Sequence, residues 1–239
     1  QKLEKEAQQF FPNSRIQRLD SDTTARKGSH EKMLRALEHR EIDILIGTQM
    51  ITKGHDFPFI TLVGVISADT SLNMPDFRAA EKTFQLITQV AGRGGRGDSP
   101  GRVIIQTFNP QHYALRHAQN HDYKAFYDEE IEFRKSLHYP PFSRIINLRL
   151  SSVQKDTLIE EARRLGKLAT KLSAGCGNAV EIIGPAESPL SKIRGRYRWQ
   201  MLIKGRNIDS LHKVAREIIN RHKNSHEKIT VDVDPENFM

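Results

Sequence analysis

Two arginines, Arg93 and Arg96, follow a predicted helix and lie among glycines in the segment QVAGRGGR. The guanidinium group is planar and permanently charged, and its N–H donors match the oxygens of a phosphate. Glycines beside it allow the backbone to approach a ligand closely. These residue types at this spacing predict a phosphate contact, although similar Gly-Arg repeats also occur in flexible RNA-binding tails.

A second polar segment begins where an apolar run ends. The run ILI stops at Gly47 and gives way to hydroxyl, amide and charged side chains, which include Thr48, Gln49, Lys53 and Asp56. This pattern is typical of a buried strand that ends in a ligand-contacting loop. In α/β proteins, ligands bind beyond the carboxyl ends of parallel strands. We therefore expect a ligand at this loop.

These segments resemble, in order, three motifs of the superfamily 2 helicases. The run from Arg18 to Thr24 resembles motif IVa, the run from Gly47 to Asp56 resembles motif V, and the run from Gln89 to Arg96 resembles motif VI. The stretches ITKGHDFPFITLVGVISAD and DFRAAEKTFQLITQVAGRGGRG are similar to the bacterial replication-restart DNA helicases. The resemblance implies an ATP-dependent motor that moves 3′ to 5′ along single-stranded DNA and remodels stalled replication forks for primosome assembly.

The resemblance also implies roles for individual residues. The expected catalytic residues are Arg93 and Arg96, which stabilise charge on the transferred phosphoryl group, and Gln89, which contacts the phosphate or its attacking water. The expected nucleotide-binding residues are Gly54, Asp56, Gly92, Arg93 and Arg96. Contacts to the DNA backbone are expected from Thr48, Gln49 and Lys53.

The cofactor implied by the resemblance is ATP with Mg²⁺, shared with a first lobe that this sequence does not contain. The sequence has no G-x-x-x-x-G-K-[ST] loop and no D-E-x-H box, the segments that hold nucleotide phosphates and magnesium. We therefore expect a fragment, beginning at Gln1, that does not hydrolyse ATP alone. Zn²⁺ is expected in the intact family protein but not here, because Cys176 is the single cysteine. His55 and His112 lack a second metal ligand at a useful spacing.

Periodicity predicts two domains. Strands alternating with helices over residues 1–141 predict an α/β domain with a RecA-like parallel sheet, and the resemblance implies that it is the second helicase lobe. The segment Tyr139-Pro140-Pro141 marks the boundary, because a residue before proline is disfavoured in a helix. Residues 142–239 predict the order βαββαβ, which is typical of a small α+β ferredoxin-like domain. The corresponding domain of the helicases that the sequence resembles is described as S10-like.

Positive charge is concentrated in the second predicted domain. The chain has 37 Lys and Arg against 29 Asp and Glu, and residues 142–239 hold 18 of the former against 11 of the latter. The densest segment is KIRGRYRW, and its predicted DNA-binding residues are Lys192, Arg194, Arg196 and Arg198. Cations attract phosphates, and aromatic rings stack on unpaired bases. Alternatively, Tyr197 and Trp199 pack in the core while the arginines of the same strand point outward.

The resemblance implies the partners of this protein. They are single-stranded and forked DNA, the acidic tail of single-stranded DNA-binding protein, and the primosome proteins PriB and DnaT. The sequence has neither an apolar run of about 20 residues nor a signal pattern, so we expect a cytoplasmic protein without membrane contact. Two alternatives stay open at this point: a non-catalytic nucleic-acid and protein binding module that retains a motor-like lobe, and an RNA-directed helicase.

Overall fold

The computed structural model describes residues 2–19, 29–47, 60–92, 101–222 and 227–238. The chain divides into two compact units, the first formed by Gln1–Ala68 with Phe84–Pro110 and the second by Asp69–Thr83 with Gln111–Met239. The boundary expected between residues 141 and 142 stays a prediction. Among the helices in the described ranges, none combines the length and the apolar character needed to cross a bilayer.

The first half of the chain contains short strands and helices in alternation. They are α1 (Lys2–Phe10), β1 (Ile16–Leu19), α2 (Ser29–Glu38), β2 (Ile44–Gly47), β3 (Leu62–Val65), α3 (Asp69–Leu72), α4 (Ala79–Ala91) and β4 (Arg102–Ile105). Strand β1 pairs with β2, and β3 pairs with β4, both in parallel. The predicted α/β character and parallel pairing are therefore present. The described strands form two separate pairs, and a single RecA-like sheet stays a prediction.

The second half begins with two helices, where the sequence predicts one continuous helical pattern from residue 112 to 137. Helix α5 (Tyr113–Gln119) and helix α6 (Tyr123–Ser136) are separated by a short turn. The break has a local cause, because the carboxylate of Asp122 accepts a hydrogen bond from the backbone N–H of Ala125 at 2.9 Å. A side chain that caps a helix in this way favours a new helix start.

A four-stranded antiparallel sheet with two helices follows, in the predicted order βαββαβ. Its elements are β5 (Arg144–Ser152), α7 (Lys155–Ala174), β6 (Val180–Ile193), β7 (Arg196–Gly205), α8 (Ile208–His222) and β8 (Lys228–Val233). The spatial order of the strands is β6-β7-β5-β8. The expected α+β character of this part of the chain is confirmed.

The core of this domain lies between the sheet and helices α7 and α8. Alternate residues of β5 and β7 point toward the helices, and they include Ile146, Leu148, Leu150, Met201 and Ile203. Helix α7 lies very close to β6, because Gly166 has no side chain. A Cβ atom at Gly166 would lie 2.5 Å from the Cδ atom of Pro185. Strand β6 is an edge strand, which is where a sheet accepts prolines such as Pro185 and Pro189.

Candidate nucleic-acid interface

Most residues predicted to bind the nucleotide or the DNA backbone in the first half of the chain lie outside the described residues. They are Thr48, Gln49, Lys53, Gly54, Asp56, Arg93 and Arg96, together with residues 20–24 of the first motif. Gln89 lies on the exposed side of α4, and Gly92 directly follows that helix. The backbone N–H of Gly92 donates to the carbonyl of Thr88 at 3.0 Å. Helix α4 therefore ends at the predicted position, immediately before the arginine segment.

The basic segment forms a tight hairpin between β6 and β7. Ile193 pairs with Arg196, so the turn consists of Arg194 and Gly195. Both turn residues have positive φ angles, 49° and 78°, as a type I′ turn requires. A left-handed backbone is unfavourable for a residue with a Cβ atom, so Arg194 occupies a costly position at the exposed tip. Lys192 is also exposed.

The aromatic residues of the hairpin pack on the helix side of the sheet. Tyr197 and Trp199 contact the core formed with α7 and α8. The aromatic residues are therefore arranged as in the alternative considered from the sequence, with Tyr197 and Trp199 packed inward and the arginines of the same strand on the opposite face. Arg196 is partly held by structure, because its guanidinium donates to the carbonyl of Ser151 at 2.8 Å. The Nζ atom of Lys192 lies 4.5 Å from the centre of the Tyr197 ring.

We call the side of the sheet that faces away from α7 and α8 the open face. By strand alternation, its central residues are Asn147, Arg149 and Ser151 on β5, and Arg196, Arg198 and Gln200 on β7. Arg149 is the cross-strand partner of Gln200, and Ser151 is the partner of Arg198. Arg149 also donates to a carboxylate oxygen of Asp232 at 2.6 Å. The open face is therefore polar and carries three arginines at its centre.

Three uncharged polar side chains of this region are buried without a hydrogen-bond partner. They are Asn147, with 0% exposed surface, Ser188, with 3%, and Gln200, with 9%. Most buried polar groups in folded proteins do have partners. The sequence analysis named Arg198 but missed Arg149, Asn147, Ser188 and Gln200. The alternation in INLRLS could have placed Asn147 and Arg149 on one face, but the neighbouring strands could only be assigned once the register was known.

One end of the open face is covered by aromatic side chains. Phe238 packs with Ile145 and Leu202, and Phe77 and Tyr139 lie against this cluster. The rings of Phe77 and Tyr139 are stacked with centres 5.4 Å apart. The covered end is therefore apolar, whereas the end near the hairpin carries the charges.

A cavity of about 220 Å³ lies beside this aromatic cluster. Its charged groups are already paired with each other: Arg134 donates to Glu130 and to Glu81, both at 2.7 Å. The hydroxyl of Tyr113 donates to Glu130 at 2.6 Å. Burial, and then the neighbouring Glu130, raise the pKa of Tyr113 above its usual range. The hydroxyl therefore stays protonated, and we assign this network to stability.

The histidine and cysteine residues that the sequence analysis considered have ordinary surroundings where they are described. The ring of His112 accepts a hydrogen bond from the backbone N–H of Ala114 at 3.2 Å, and burial lowers the pKa of His112. Cys176 packs against the core of the sheet. In the part of the chain that the structure describes, no three His, Cys, Asp or Glu side chains are grouped to hold a metal. His55 lies outside the described residues.

Comparison with known protein families finds a match over the part of the chain that contains this sheet. The family model of the primosomal protein N C-terminal domain matches residues 135–236, which include the sheet, both helices and the hairpin. The replication restart protein PriA of Bacillus subtilis is 45% identical over 243 residues, which cover 100% of this chain and 30% of that protein. The chain matches the C-terminal part of PriA.

Further PriA relatives give the same result. The replication restart protein PriA of Chlamydia trachomatis is 44% identical over 98% of this chain and 31% of its own length. That of Rickettsia felis is 40% identical over 100% of this chain and 36% of its own length. The chain thus spans about a third of the length of the PriA proteins that it matches.

Proposed function

We propose that this chain is part of an ATP-dependent 3′ to 5′ DNA helicase that recognises and remodels stalled forks and initiates primosome assembly for replication restart. The observation that carries the proposal is the similarity to replication restart proteins PriA, at 45% identity across 100% of this chain in one relative. The three helicase-like motifs in their expected order support the motor activity.

In this proposal, Arg93 and Arg96 contribute to an ATP and Mg²⁺ site that is completed by a first lobe. The two guanidinium groups stabilise the negative charge that develops on the transferred phosphoryl group, an effect of about 10³ to 10⁵ on the rate. Gly54, Asp56 and Gly92 line the nucleotide. The exposed position of Gln89 at the end of α4 agrees with its role beside the phosphate.

DNA is contacted at two places in this proposal. Thr48, Gln49 and Lys53 hold the DNA backbone in the motor lobe, so that closure of the nucleotide cleft moves them along the strand. The basic hairpin supplies the second contact, through Lys192, Arg194, Arg196 and Arg198. The same cations suit the acidic tail of single-stranded DNA-binding protein. The further partners are the primosome proteins PriB and DnaT.

The test is the substitution Arg96→Ala in the complete protein. We expect DNA-stimulated ATP hydrolysis to fall by at least about 10³-fold, because the arginine acts on charge in the transition state. DNA affinity should stay within about twofold of the parent. The matched control is Arg35→Ala on α2, where the arginine is exposed and belongs to none of the three motifs. Unchanged turnover in the Arg96→Ala protein contradicts the proposed motor site.

A further inference from the structure

The open face brings two guanidinium groups close together. Arg149 on β5 lies directly opposite Gln200 on β7, and Arg198 is the next residue of β7 on the same face. Directly opposed residues in an antiparallel pair have Cβ atoms about 5 Å apart, and diagonal neighbours about 7 to 8 Å. Burial, and then the charge of Arg149, lower the pKa of Arg198. The positive charges of the two arginines therefore oppose each other.

The polar side chains without partners lie around these arginines. Ser188, Gln200 and Asn147 belong to β6, β7 and β5, which are neighbouring strands of the sheet. Ser188 directly follows Glu187, the residue of β6 that pairs with Trp199. Ser188 therefore lies at the start of the irregular stretch of β6 that precedes Lys192, close to the part of β7 that contains Arg198. Buried polar groups without partners lower stability, so a folded protein retains them at a cost.

We propose that the open face, centred on Arg149 and Arg198, binds phosphates of a nucleic-acid backbone. Guanidinium, hydroxyl and amide groups are the side chains that most often contact such phosphates. A phosphate between the two arginines offsets their repulsion, and the amide nitrogen of Gln200 can donate a hydrogen bond to it. The inference rests on the proposed function, because it extends the DNA contact of the hairpin onto the sheet.

The arrangement favours a polymer of phosphates over an acidic peptide. Arg194, Arg196 and Arg198 recur at every second residue of the hairpin, which gives a line of positive charge that leads to Arg149. The aromatic rings of the hairpin, Tyr197 and Trp199, pack on the helix side. The hairpin therefore places no aromatic ring on the charged end of the open face that could form a pocket for a peptide side chain. Phosphates along a backbone need only the charges and donors.

The experiment measures binding of a fluorescently labelled oligothymidylate of about 30 nucleotides by the 239-residue chain at several salt concentrations. The variants are Arg149→Gln and Arg198→Gln. We expect each to weaken binding several-fold and to reduce the slope of log K against log salt concentration by about one. The control is Arg163→Gln, which removes the same charge from the exposed surface of α7 and should leave the slope unchanged.

A further variant, Gln200→Leu, separates binding from folding. It removes a buried amide oxygen that has no partner, so the melting temperature should stay the same or rise while affinity for the oligonucleotide falls. A purely structural role for Gln200 predicts the opposite combination. Gln200→Leu leaves the ion pair between Arg149 and Asp232 intact. Its affinity therefore tests the site even where Arg149→Gln lowers the stability of the fold.

The outcomes distinguish this inference from the proposed function. If Lys192→Gln and Arg194→Gln flatten the salt slope but Arg149→Gln and Gln200→Leu do not, the open face is no phosphate site, while DNA binding by the hairpin stands. If the parent chain does not bind the oligonucleotide, the open-face site and the DNA contact of the hairpin are both wrong, whereas the motor activity is tested separately by Arg96→Ala in the complete protein. If the Arg149→Gln variant loses affinity for an acidic peptide and keeps its affinity for the oligonucleotide, the surface recognises protein and the inference is overturned.

Discussion

The Nζ atom of Lys204 lies 4.5 Å from the centre of the Tyr139 ring. The same ammonium group donates to the carbonyl of Leu137 and pairs with Glu181, both at 2.9 Å. Lys204 is almost fully buried, with 4% of its surface exposed. The buried ammonium group of Lys204 on β7 therefore contacts both the segment that precedes β5 and strand β6, at the apolar end of the open face.

Replacing this cation tests its contribution to stability. We expect Lys204→Met to lower the free energy of unfolding by about 1 to 3 kcal/mol, because the carbonyl of Leu137 loses its partner while the apolar stem is kept. Glu181 is half exposed and adds little. Urea denaturation followed by the fluorescence of Trp199, the single tryptophan, reports on this sheet. Lys167→Met on the exposed side of α7 is the control, and equal midpoints for the two variants would refute the assignment.

Replacing the turn residue Arg194 should raise the stability of the chain and weaken its binding to DNA. Asparagine is preferred over arginine at the first central position of a type I′ turn, so Arg194→Asn should stabilise the chain by about 0.5 to 1 kcal/mol. The same change removes a cation from the hairpin tip and should weaken binding to single-stranded DNA. Thermal unfolding and fluorescence anisotropy measure the two effects. A variant that loses stability shows that the positive φ of Arg194 is not unfavourable here.

The close approach of α7 to β6 makes Gly166 intolerant of a larger residue. Alanine normally favours a helix over glycine by about 1 kcal/mol, but its Cβ atom would overlap the ring of Pro185. Overpacking of this kind costs about 1 to 3 kcal/mol, so we expect Gly166→Ala to be destabilising by about 1 to 2 kcal/mol in urea. The double variant Gly166→Ala, Pro185→Ala should lose less than the sum of the single changes. Additive losses would show that the ring is not the obstacle.

Acid should weaken the contact between α7 and α8 through Glu161. Hydrogen bonds from Arg164, and then from His222, lower the pKa of Glu161 against the opposing effect of burial. Because the folded-state pKa is depressed, its contribution is fully present above the unfolded pKa of about 4.5 and is lost as pH falls through the folded value. Unfolding midpoints between pH 7 and pH 3 should therefore fall less steeply for Glu161→Gln than for the parent. Parallel curves would contradict this assignment.

Sequence patterns predicted the C-terminal sheet well because its strands alternate regularly. The sequence pattern predicts strands at residues 145–150 and 228–233. Strand β8 has the second of these bounds, and β5 extends the first by one residue at its start and two at its end. The pattern also predicts a strand near residues 180–183, whereas β6 continues to Ile193. Pro185 and Pro189 argue against a strand in a local analysis. They are accepted because β6 lies at the edge of the sheet, a property set by tertiary structure.

The candidate site was only partly predictable for a similar reason. The cations of the hairpin are adjacent in sequence, so charge density alone indicated them. Arg149 is far from them in the chain and becomes their neighbour only through the register of β5 with β7. The polar groups without partners depend on packing, which sequence periodicity does not contain. The roles of Arg93, Arg96 and the loop from Thr48 to Asp56 stay predictions.

The prolines of β6 also affect how copies of this domain meet each other. Each proline removes a backbone N–H donor from the outermost strand, so another β-strand gains fewer hydrogen bonds by pairing there. Exposed sheet edges tend to pair and aggregate when protein molecules come close together. The edge that carries Pro185 and Pro189 therefore disfavours edge-to-edge pairing of sheets.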